Sequence, residues 1–72
     1  MATRLSERRK GTEIAELSVV TLVRDVTVDG KVLPGGAQGT VVGSYGDGLG
    51  YEVEFEKPFH AVVTLHVDAL TA

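Results

Sequence analysis

The sequence predicts an all-β domain: a small, strongly bent antiparallel barrel of four to five strands that ends in a C-terminal 3₁₀ turn. Three observations carry that prediction. Tyr51-Glu52-Val53-Glu54-Phe55-Glu56 alternates strictly between apolar and acidic residues, the pattern of a strand with one packed and one wet face. No stretch has the length and period of a packing helix. Turn chemistry cuts the rest into short segments, and a flat sheet of that size would have no second layer to bury it, so the sheet must curl on itself.

Residues 1–13 read as a basic, mobile tail, and residues 14–72 as the barrel domain. A short helix over Glu13 to Leu17, with Thr12 as its N-cap, is the one helical candidate. Leu17 to Val23 is dense in β-branched residues and forms the first strand. Asp29-Gly30 and Leu33-Pro34-Gly35-Gly36 are turn sequences, so residues 25–37 are expected as a long loop with a short extended piece at Val26 and Val28. Gln38 to Tyr45 is the second strand, and Gly46 to Gly50 is a turn of residues tolerant of positive φ. Tyr51 to Glu56 is the third strand, Lys57-Pro58-Phe59 the next turn, and His60 to His66 the fourth strand. Pairing Glu56 with His60 sets Phe55 opposite Ala61, Val53 opposite Val63 and Tyr51 opposite Leu65, which brings the apolar faces together. Val67 to Leu70 reads as a 3₁₀ turn that folds Leu70 over a barrel end, and Thr71-Ala72 as a last short strand.

Composition narrows the function. With 72 residues there is room for one domain, and with no Cys there is no disulfide, thiolate metal site or thiol nucleophile. No apolar run approaches the ~20 residues of a membrane span, and the basic start lacks the apolar core of a signal peptide, so a cytoplasmic protein is expected. Charge is segregated. Arg4, Arg8, Arg9 and Lys10 against Glu7 make residues 1–10 +3, whereas Arg24, Lys31 and Lys57 against nine acids make residues 11–72 −6. Polyanion binding by the body would have to work against that field.

Val19-Val20-Thr21-Leu22-Val23-Arg24-Asp25, Gly39-Thr40-Val41-Val42, Tyr45-Gly46-Asp47-Gly48…Tyr51-Glu52-Val53-Glu54-Phe55 and Thr64-Leu65…Asp68-Ala69-Leu70 form a spaced pattern. Over residues 17–71 it resembles a family of small bacterial proteins known only as a domain of unknown function. The resemblance implies an SH3-like barrel. Here Lys57-Pro58-Phe59 stands where a longer polar loop is frequent. The plan is more distantly similar to the small peripheral barrel of photosystem I and to that of the nitrile hydratase β-subunit. Those are accessory domains docked on larger proteins, which implies a protein partner by analogy of fold alone.

No constellation points to catalysis. Glu52, Glu54 and Glu56 lie ~6.5–7 Å apart on one strand face, where they read as a solvated surface that deters edge-to-edge association or recognises a basic partner. His60 and His66 are ~20 Å apart along the strand and cannot share a metal, and no metal or cofactor is expected. His60 is instead expected to pair with Glu56. Ser18, Ser44 and the threonines have no histidine set as base. Gly46-Asp47-Gly48-Leu49-Gly50 is followed by a strand, so it reads as a hairpin turn and not a phosphate cradle. Pro34 to Val42 is similar to the KOW motif of RNA-binding barrels, but its nearby cations, Arg24 and Lys31, sit among Asp25 and Asp29. Tyr51 and Phe55 belong to the core, with Tyr45 expected to join them, while Phe59 either folds over a barrel end or contacts a partner. The resulting expectation is a non-enzymatic protein-interaction or accessory module with Phe59, Glu52, Glu54 and Glu56 as contact candidates. The alternative is a KOW-like RNA or ribosome-associated module; nucleic acid and membrane are not the expected partners.

Overall fold

The computed structural model describes residues 14–72, and the tail over residues 1–13 lies outside the described residues. Seven strands follow in order: β1 (Val19–Leu22), β2 (Val26–Val28), β3 (Lys31–Leu33), β4 (Gln38–Tyr45), β5 (Gly50–Phe55), β6 (Ala61–His66) and, after a 3₁₀ turn at Val67–Ala69, β7 (Leu70–Thr71). The fold is all-β and antiparallel. Five strands form one sheet in the order β6-β5-β4-β1-β7, and β2 and β3 form a separate hairpin. β6 and β7 are the two edges and are not joined, so the sheet does not close into a barrel, an arrangement compatible with the SH3-like plan expected from the sequence.

The core explains why so short a chain folds this way. Tyr51, Val53 and Phe55 are completely buried, and they meet Val20, Leu22 and Val41 from β1 and β4, Leu65 and Leu70 from the C-terminal strands, and Leu33 from the hairpin. The β5–β6 register is the one the apolar pattern demands: Phe55 opposite Ala61, Val53 opposite Val63, Tyr51 opposite Leu65. The pairing of β4 with β5 shifts between Val41 and Gly43. Such a bulge inserts one residue and sharpens the twist, which bends the sheet around its own core.

Three sequence expectations are corrected. The segment over residues 25–37 is not an irregular loop but contains the β2–β3 hairpin, with Val26 opposite Leu33 and Val28 opposite Lys31. Its turn is Asp29-Gly30 with φ of 50° and 79°, the double positive φ that a tight two-residue hairpin requires and that Asp-Gly tolerates. The burial of Leu33 turns this hairpin into the cover of the open sheet. At the N-terminal end, residues 14–17 do not form a helix. Leu17 sits at φ 69° in a turn and is 77% exposed, and the ladder is prolonged by its N–H, bonded to the Val41 carbonyl at 2.7 Å, and by the Ser18 carbonyl, which accepts from the Val41 N–H at 2.9 Å. The strand therefore starts at Val19 and not at Leu17; Thr12 and Glu13 of the expected helix lie outside the described residues. Finally, Tyr45 is 52% exposed and does not join the core, because the bulge sends the end of β4 away from it. No helix among the described residues is long and apolar enough to cross a membrane.

Candidate binding site

A broad concavity, an open groove of about 850 Å³, lies between two proline-bearing turns. One wall is Pro34 to Gln38; the other is Glu54, Glu56, Lys57 and Pro58; Val19, Gly39 and Thr40 form the floor. The β4–β5 register creates it. Gly39 opposite Phe55 sets the chain entering β4 against the chain leaving β5, so the two turns face each other across the sheet end. Gly39 is part of the construction. A Cβ there would lie 2.6 Å from Val53 Cγ1 and 2.9 Å from the Glu54 carbonyl oxygen, so only a residue without a side chain lets β4 lie this close to β5.

The Pro34 wall is held rigidly. The Gly36 N–H donates to the Leu22 carbonyl at 2.7 Å, the Leu22 N–H to the Ala37 carbonyl at 2.9 Å, and the Ala37 N–H to the Pro34 carbonyl at 3.0 Å. Asp25 accepts from the Gly35 N–H at 2.8 Å. Gly36, at φ 95°, meets open space where a Cβ would stand, and Gly35 would meet the Arg24 backbone at 3.3 Å. The wall therefore presents backbone, Pro34 and Ala37 with little side-chain bulk over them.

Electrostatics separate this groove from the rest of the surface. Glu54 is half-buried and its Oε2 lies 2.8 Å from His60 Nε2. Glu56 is exposed, with Lys57 beside it. The other two cations of the described residues are engaged elsewhere. Arg24 Nη2 donates to Asp68 Oδ1 at 2.8 Å, and Lys31 Nζ stands 5.3 Å above the centre of the Phe59 ring. Asp68 also meets His66 Nδ1 at 3.1 Å. Hydrogen bonding to Arg24, and then to His66, holds the Asp68 carboxyl below the usual carboxylate range.

The residues singled out from the sequence are dispersed. Glu54 and Glu56 line the groove. Glu52 lies farther along the same face, half-buried, its Oε1 accepting from the Tyr45 hydroxyl at 3.3 Å. Phe59 is half-buried against the core and lines a separate cleft of about 180 Å³ with Val28, Asp29, Lys31 and His60. It packs against the core and does not line the groove. His60 pairs with Glu54, not with Glu56, because the strand twist brings the diagonal neighbour nearer than the residue directly opposite. Among the described residues, no group of three or more His, Asp or Glu could hold a metal ion. Sequence reasoning missed Pro34, Ala37 and Pro58 as walls. The signal was two turns containing proline, but their apposition depends on a β4–β5 register that no local pattern reveals.

A family profile described as "Domain of unknown function (DUF4926)" matches residues 16–58, from the turn before β1 to the Pro58 wall of the groove. It spans the Tyr45 to Phe55 segment and stops before β6. No curated protein and no solved structure matches the chain. The match covers more than half of the sequence and both walls of the groove, and the chain belongs to the DUF4926 family.

Proposed function

We propose that this chain is a non-catalytic, cytoplasmic protein-interaction module of a bacterial cell, and that an extended segment of its partner lies in the groove between Pro34–Gln38 and Glu54–Pro58. The groove itself carries the reading: a rigid, glycine-lined channel with two prolines and an alanine on its walls suits a peptide backbone better than a compact small molecule. The polar groups beside it support binding over chemistry. His60 and His66 are each engaged by a solvent-accessible carboxylate, Glu54 and Asp68, and accessible pairs of this kind lack the desolvation that tunes a catalytic acid or base. The body's cations speak for a protein and against RNA, since Arg24 and Lys31 are occupied and Lys57 stands beside two glutamates.

The test is a photocrosslinking amino acid at Gln38, on the groove wall, compared with one at Thr27, exposed on the hairpin. The reading expects a discrete protein adduct in cells from Gln38 and none of that size from Thr27. Adducts to RNA from Gln38, or identical patterns from both positions, reject it.

A further inference from the structure

We infer that the groove selects a cationic segment: an extended stretch of the partner protein whose arginine or lysine side chains are received by Glu54 and Glu56. This deepens the reading above and rests on it. The first ground is charge. Residues 14–72 hold eight acids against Arg24, Lys31 and Lys57, and two of those three cations are committed outside the groove. A cationic ligand therefore meets an attractive field on approach and two carboxylates on arrival, whereas an anionic one meets the reverse.

The second ground is spacing. Glu54 is in β5 and Glu56 is the residue just past its end, two positions on, and side chains at alternate positions of an extended chain are ~6.5–7 Å apart. An extended ligand lying beside them repeats that interval, so cations at alternate positions fall opposite both carboxylates. Successive side chains of an extended segment point to opposite sides, so the residues between would face the Pro34 and Ala37 wall across the groove. Two carboxylates on one wall and Pro34 and Ala37 on the other are complementary to alternating basic and apolar side chains.

The third ground is that Glu54 is already in use. Its Oε2 is bonded to His60 at 2.8 Å, so His60 occupies part of the site a ligand cation needs. Removing that histidine should strengthen binding, an effect that diffuse surface charge does not produce.

The experiment uses the full chain and three fluorescein-labelled octapeptides of alternating sequence, Arg-Val, Ser-Val and Glu-Val, followed by fluorescence anisotropy at pH 8 and near-physiological salt. The Arg-Val peptide is expected to bind roughly tenfold more tightly than Ser-Val, a difference of about 1.4 kcal/mol, with Glu-Val weaker still. Glu54→Gln with Glu56→Gln should abolish that preference. Glu16→Gln with Asp47→Asn, which removes as much charge from residues that do not line the groove, should leave it within about twofold, because the carboxylates that receive the cations are untouched. His60→Ala should tighten Arg-Val binding. Equal affinities for the Arg-Val and Ser-Val peptides, an equal loss in both double variants, or weaker binding by His60→Ala would each overturn the inference. A partner captured from Gln38 whose binding ignores Glu54 and Glu56 would overturn it too, while leaving the protein-binding reading intact. Charge-selective peptide binding without any captured protein would remove the reading and keep the chemistry of the groove.

Discussion

Glycine at position 39 and valine at position 53 do one job between them: they set how closely β4 and β5 approach beneath the groove. The Cβ of a Gly39→Ala variant would press on Val53 Cγ1 and, at 2.9 Å, on the Glu54 carbonyl oxygen. Backbone cannot swing aside as a side chain can, so the expected cost is about 1–3 kcal/mol, read as a lower midpoint in urea with an unchanged slope. Val53 itself is fully buried opposite Val63. A Val53→Asp carboxylate would have no partner there, and an unpaired buried charge costs about 3–5 kcal/mol. A domain of 72 residues has roughly 4–11 kcal/mol to lose, so Val53→Asp should be unfolded or nearly so by circular dichroism. Glu54→Val, one position along, removes only an exposed pair with His60 and should change stability by less than about 1 kcal/mol. Similar melting temperatures for those two variants would mean that the faces of β5 are not as described.

At the scale of elements, what could be read ahead of the structure was whatever depends on period two. The alternation of β5 fixes its inner face, and matching that face to Ala61, Val63 and Leu65 leaves a single register, the one observed. Elements decided by φ or by distant partners were not readable in the same way. Leu17 is as apolar as its neighbours, yet it leaves the strand because its φ is positive. The β2–β3 strands have three residues each, too few for periodicity to show, and the burial of Leu33 that makes them matter comes from a sheet elsewhere in the chain. The 3₁₀ turn is an intermediate case. Val67 to Ala69 follows from the local sequence, but its tie to the end of β1 through Arg24 and Asp68 spans 44 residues. That tie predicts an acid response. Because the folded Asp68 carboxyl lies below its ordinary value, its contribution is complete above the unfolded pKa near 3.9 and is lost as pH falls through the folded one. Asp68→Asn should lower urea resistance at pH 7, and the gap between variant and parent should close as the pH falls through the lowered folded value. A gap that persisted in acid would show that packing, and not the carboxylate, ties the turn to Arg24.

For the whole molecule, the decisive quantity is the distribution of charge over a domain too small to hide it. Affinity for nucleic acid comes chiefly from lysine and arginine neutralising phosphates, and non-specific association at physiological salt falls between about 10⁻⁴ and 10⁻⁶ M for proteins that make several such contacts. Residues 14–72 offer three cations. Arg24 would have to leave Asp68, Lys31 would have to leave the face of Phe59, and Lys57 lies beside Glu54 and Glu56. Eight acids on the same small surface repel the polymer at every approach. The full chain should therefore bind neither single- nor double-stranded RNA or DNA more tightly than about 10 μM at near-physiological salt, measured by anisotropy with labelled oligonucleotides. Arg4, Arg8, Arg9 and Lys10 are the remaining cations, and their replacement by serine separates two outcomes. Micromolar binding that disappears in that variant belongs to residues 1–10 and leaves the groove free for a protein. Micromolar binding that survives it can only come from the β domain, and it would turn the Pro34 to Val42 segment, with its KOW-like glycine at position 39, into the RNA-contacting surface in place of the peptide groove.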